Sequence, residues 1–141
     1  MVKGNRKINL KSATAGVIGS ICAILILTIL EFPPPFGFET RPQGDVSIFW
    51  LVFFLVILVT EIVVIVFAFK RPKLSAKFAF ASGILNILQI IADQMHLMQP
   101  ETATLAYTLI EYSVGLFALS LIYFAWKVNS TFRSTKTSYR R

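Results

Sequence analysis

A chain of 141 residues that is 55% hydrophobic and 15% charged, with a mean hydropathy of +0.69, carries too little polar surface for an ordinary soluble domain. Its formal charge is +7 at pH 7, and its one cysteine, Cys22, rules out an internal disulfide or a CxxC redox or metal motif. These figures set aside soluble-enzyme and disulfide-scaffold classes and point to a membrane protein.

Four apolar runs, at 13–30, 46–69, 78–98 and 102–126, are each long enough to cross a ~30 Å hydrocarbon core at 1.5 Å per residue. No water is available there to satisfy an open backbone, so each run is expected to be a helix. The expected fold is an all-α integral membrane four-helix bundle of up-down topology. Residues 1–11 form a basic N-terminus, 12–126 the bundle and 127–141 a basic tail.

Charge supplies the expected orientation. Lys3, Arg6, Lys7 and Lys11 precede the first run, Lys70, Arg71, Lys73 and Lys77 fill the link between the second and third, and Lys127, Arg133, Lys136, Arg140 and Arg141 follow the fourth. The other two links hold Arg41 alone among basic residues, with Glu31, Glu39, Asp45 and Glu101. The positive-inside rule then places both termini in the cytoplasm, with the cell membrane as the expected location. The same charge accounts for attraction to anionic lipid at the cytoplasmic face without invoking nucleic acid.

In chain order, the basic segment and first run have the outline of a signal peptide. No convincing small-x-small cleavage site precedes the outer link, and Glu31-Phe-Pro-Pro-Pro follows at once, so an uncleaved anchor is expected. Ser12, Gly16 and Ser20 recur every fourth residue on this helix, the spacing that lets helix backbones approach closely in lipid. The outer link holds Pro33, Pro34, Pro35 and Pro42, which end the helix and favour an extended path. Its Phe32, Phe36 and Phe38 are read as an interfacial cap. Phe49 with Trp50, and Tyr123 with Trp126, form the aromatic anchors of the two membrane faces.

The short link at 70–73 makes the second and third helices antiparallel neighbours. Ser75, Ala79 and Gly83 repeat the small-residue spacing on helix three. Pro100 and Glu101 mark a second tight turn. From Lys127 onward the Ser, Thr, Lys and Arg composition predicts a frayed end.

Chemistry would rest on the polar groups inside the runs. At about 100° per residue, Asn86, Gln89, Asp93 and His96 fall within about 80° of one another on helix three. Glu61 lies mid-way along helix two, and Glu111 lies on helix four beside Tyr107. An acid near the bilayer centre costs about 2.5–3.5 kcal/mol on insertion scales, so such residues face inward and often serve a function. Three readings stay open. The set is interhelical glue, with Asn86 and Gln89 bonded to Glu61 or Glu111; or it is a hydrated pocket or proton relay of a small transporter; or His96, Asp93, Met95 and Met98, near Glu101, form an outer-face metal site of copper-like chemistry.

Nothing favours catalysis: there is no nucleophile motif, no HExxH, no glycine-rich phosphate loop and no paired histidines. No cofactor is indicated, and no motif is diagnostic of a known small four-span family. The expected role is a non-enzymatic accessory or scaffolding subunit of a larger membrane complex, with other membrane subunits or a second copy as partners. A small transporter or ligand-binding bundle is the alternative. The orientation is testable. Gly37→Cys and Thr102→Cys should react in intact cells with an impermeant thiol reagent, and Ser134→Cys should not; labelling at Ser134 would reverse it.

Overall fold

Inside hydrocarbon a helix can hide a polar side chain only against another helix, so buried positions must recur on one stripe. In a computed structural model of the chain, residues 2–31, 37, 48–95, 97 and 104–138 are described, and within these the side chains of 10–132. The described residues form four helices, α1 (Val2–Leu30), α2 (Ile48–Ala68), α3 (Pro72–Gln94) and α4 (Leu105–Ser138). All four contain a stretch long and apolar enough to span a membrane, namely Leu10–Leu30, Ile48–Ala68, Pro72–Gln94 and Leu105–Phe132.

The helices bury stripes spaced alternately three and four residues apart. On α4 these are Tyr107, Glu111, Val114, Ala118, Leu121, Ala125 and Val128; on α2, Ile57, Glu61, Val64 and Ala68. On α3 the buried positions include Ser75, Ala79, Ser82 and Asn86, and on α1 Ala13, Val17, Ser20 and Ile24. A repeat of 3.5 residues keeps one seam turned towards neighbouring helices along the whole length. The opposite faces are apolar and outward: on α2, Val59 and Ile62 are 56% and 50% exposed while Glu61 between them is 2% exposed.

Packing is arranged about α4, which contacts both α1 and α3, while α2 rests chiefly on α3. Contacts advance in opposite senses along α2 and α3, since Ser75 Oγ donates to Val64 O at 2.8 Å and Asn86, about three turns later on α3, reaches back to Glu61. Close approach depends on glycine at two places. A Cβ on Gly16 would lie 2.6 Å from the Phe124 ring, and one on Gly83 would lie 2.6 Å from Ile122 Cγ1 and 3.0 Å from the Ala118 carbonyl oxygen. At Gly19 the same atom would meet nothing within 4 Å.

Three boundaries differ from the sequence expectation by more than a turn, the first being α1, which is already helical from Val2 rather than from the start of the apolar run at 13. α3 begins at Pro72, six residues before the apolar run, because proline suits the first helical position and Ser75, Ala76 and Ala79 have a partner surface to bury against. α4 does not fray at Lys127 but continues to Ser138. Val128 is buried there, Phe132 packs on the core, and the Ser130 and Thr131 hydroxyls fold back onto the Lys127 carbonyl. Packing of an apolar stripe thus outweighs the polar composition of the tail.

Hydroxyls on the other faces are satisfied within their own helices: Thr14 donates to Leu10 O at 2.9 Å, Thr60 to Ile57 O at 2.6 Å and Ser113 to Leu109 O at 2.8 Å. The glycine contacts make a graded prediction. Gly16→Ala and Gly83→Ala should each destabilise the purified protein by about 1–3 kcal/mol, the usual cost of overpacking, and Gly19→Ala should not. Equal thermal stability of all three variants in detergent would show that these helices do not approach this closely.

Candidate functional site

Polar side chains that reach the seam form two clusters joined by α3. In the first, Glu61 of α2 accepts from two donors one turn apart on α3. Asn86 Nδ2 donates to Glu61 Oε1 at 2.9 Å, and Ser82 Oγ donates to the same oxygen at 3.4 Å. The Asn86 amide also donates to the Ser82 carbonyl at 3.0 Å. All three side chains are buried, and the carboxyl takes hydrogen bonds from protein donors on the neighbouring helix. The neighbouring Ser75 hydroxyl, bonded to the Val64 carbonyl, continues this line towards the start of α3.

The second cluster lies at the other end of α3. Gln94 Nε2 donates to Glu111 Oε2 at 2.5 Å, and the Tyr107 hydroxyl donates to Asp93 Oδ2. Glu111 is in hydrogen-bonding contact with Asp93 and Tyr107 as well as Gln94. Tyr107 and Glu111 are four apart on α4, and Asp93 and Gln94 are consecutive at the end of α3. Four polar groups from two helices therefore meet within one turn of each.

Between the clusters is a cavity of about 10 Å³, walled by Thr28 from α1 and Glu31 just after it, Asn86 and Gln89 from α3, and Glu111 from α4. That volume is about what one water molecule needs, and the walls supply the several polar partners a buried water requires. Asn86 belongs to both the first cluster and this wall, so a continuous polar seam runs from Glu61 to Asp93 and Tyr107.

The residues singled out from sequence are distributed as follows. Glu61 and Asn86 meet directly, Asp93, Tyr107 and Glu111 meet at the second cluster, and half-buried Gln89 lines the cavity. Met95 is exposed, while His96, Met98 and Glu101 lie outside the described residues, as do the phenylalanines Phe32, Phe36 and Phe38 of the first outer link. Among the described residues no three His, Cys, Asp or Glu side chains gather as metal ligands. Of the small-residue stripes, Ser20, Ser75, Ala79 and Gly83 are buried, Gly16 faces Phe124 and Ser12 is exposed. Cys22 is exposed on the outer face of α1.

Three participants escaped the sequence reading. Ser82 stands four residues before Asn86 and shares its face, so helical periodicity could have found it. Glu31 is buried at the end of α1, although its position beside the proline run suggests a link residue. Gln94 lies about 100° from Asp93 around the helix, off the polar stripe, and reaches Glu111 by virtue of a long side chain at the helix end. No protein-family model, curated protein or solved structure matches the chain.

The first cluster yields a directional prediction. Glu61→Gln keeps an oxygen for both donors and should leave thermal stability nearly unchanged. Glu61→Leu strands the Asn86 amide and should cost about 0.6–2 kcal/mol for each hydrogen bond lost. A leucine variant as stable as the glutamine variant would remove this bond from the forces that hold α2 to α3.

Proposed function

We propose that the chain is a four-span, up-down integral membrane protein, both termini cytoplasmic, that acts as a non-enzymatic accessory or scaffolding subunit of a larger membrane complex. One observation carries the reading: the polar side chains of the seam are engaged with one another around a cavity of about 10 Å³. A substrate site needs hundreds of cubic ångströms. Polar contacts that join helices without leaving room for a ligand serve to set which helices pair and in what register.

The domain plan accompanies this reading. Residues 12–126 are the bundle, and the basic segments 1–11 and 127–141 flank it on the cytoplasmic side. The opposed order of contacts along α2 and α3 supports the up-down arrangement, and the distribution of lysine and arginine supports the orientation. The outward apolar faces of α2 and α4, which include Leu51, Leu55, Val59, Leu109 and Leu116, are surfaces for lipid, for partner subunits or for a second copy.

A second reading is favoured by the continuity of the seam. Glu61, Asn86, the cavity, Glu111, Asp93 and Tyr107 form a connected series of proton donors and acceptors, as a proton-coupled small transporter would require. Two measurements separate the readings. Extraction in mild detergent followed by native gels and mass spectrometry should yield a hetero-complex for an accessory subunit, and a monomer or homo-oligomer for a transporter. The Glu61→Gln/Glu111→Gln double variant should assemble and support the host complex normally. A folded but inactive variant would instead favour proton transfer, because an amide does not titrate.

A further inference from the structure

At the end of the bundle remote from Glu111, α3 and α4 enclose an open cavity of about 500 Å³ lined by Lys73, Lys77, Phe80, Trp126, Asn129 and Ser130. The volume lies within the range of small-molecule sites. Its chemistry is divided by depth. Lys73 and Lys77 are one turn apart on α3, and Asn129 and Ser130 face them from α4. Phe80 and Trp126, 39% and 61% exposed, lie one turn deeper and continue into the outward apolar surface through Ile84 and Tyr123.

The charge here is uncompensated. Among the described residues neither lysine has an acidic partner and the Asn129 amide has no hydrogen-bond partner. The sequence holds no Asp or Glu from 62 to 92 and none after Glu111. Cations and an amide donor above an aromatic floor that opens sideways onto lipid match one kind of ligand: an anionic headgroup with acyl chains attached. A soluble anion would use the lysines and leave the aromatic floor unexplained.

The geometry points to a binding site for an anionic phospholipid between α3 and α4, with Lys73, Lys77 and Asn129 on the phosphate and Phe80 and Trp126 against the glycerol esters and first methylenes. Ammonium groups on long flexible stems suit this, because they extend to the headgroup level while their methylenes stay in the apolar layer. Indole suits the same level with one polar and one apolar edge. The inference rests on the membrane placement proposed above and is independent of an accessory role.

The site contains one of only two tryptophans, which supplies a probe. Trp50→Phe leaves Trp126 as sole reporter. This protein is reconstituted in phosphatidylcholine vesicles doped with dibrominated phosphatidylglycerol or dibrominated phosphatidylcholine, and quenching is compared. Bromolipid of the anionic class should quench Trp126 preferentially, with a contribution of about fivefold per lysine, and Lys73→Gln/Lys77→Gln should abolish the preference. Lys70→Gln/Arg71→Gln, which removes equal charge just outside the cavity, should retain it. Equal quenching by both lipids, or equal loss in the two double variants, would overturn the site in favour of diffuse surface attraction. Relief of quenching by millimolar inorganic phosphate would overturn it in favour of a soluble anion. Native gels of the same protein report the accessory role separately, so the two ideas fail independently.

Discussion

The hydrogen bond from Asn86 to Glu61 sets the terms for the rest of the bundle. A carboxyl and an amide in hydrocarbon have no water to fall back on, and each left unbonded is expensive. The Asn86 amide carries two hydrogens, one directed to Glu61 and one to the Ser82 carbonyl of its own helix. Sliding α2 by one turn, about 5.4 Å, would take the carboxyl out of reach of one of these two donors, which are themselves one turn apart on α3. Leucine and valine would pack nearly as well in the shifted register, so the polar contact specifies an alignment that apolar packing leaves loose.

That contact is possible only because the helices come close. Burial of water-averse surface does not drive helix pairing within lipid, where the tails are as apolar as leucine; packing and hydrogen bonding do. Small residues line the seam where α4 meets its neighbours: Ala118 and Ala125 on α4, Ala79 and Gly83 on α3, Ala13 and Gly16 on α1. Gly16 accommodates the Phe124 ring and Gly83 accommodates Ile122. α4 can therefore serve two partners at once, with α2 held to the group through α3 and its polar bonds.

The two ends of the bundle differ in chemistry. Asp93 and Glu111 meet Tyr107 and Gln94 at one end, with buried Glu31 on the wall of the adjoining cavity. Lys73, Lys77 and Lys127 occupy the other, where Lys127 Nζ stands 5.9 Å from the Tyr123 ring centroid and Lys73 and Lys77 line the open cavity between α3 and α4. Such a separation of charge between the two ends is the asymmetry on which the proposed orientation rests. It also keeps the acids away from cations that would otherwise pair with them, so they bond with amides, hydroxyls and one another.

The length and apolarity of the four runs determined the all-α, membrane-spanning character, because helix length and backbone satisfaction leave no other solution for such runs. The polar stripe on α3 was legible for the same reason: period alone puts Asn86, Gln89 and Asp93 on one face. Tertiary structure decided which groups meet. Gln94 rather than Gln89 bonds Glu111, Glu31 is drawn into the bundle, and Ser20 is buried while Ser12, in the same small-residue series, is exposed. Continuation of α4 beyond Lys127 was equally a tertiary matter, since Val128 and Phe132 gain a surface to pack on. Periodicity names the face a residue occupies; the partner across that face depends on helix separation, register and side-chain reach, which arise only when four helices are assembled.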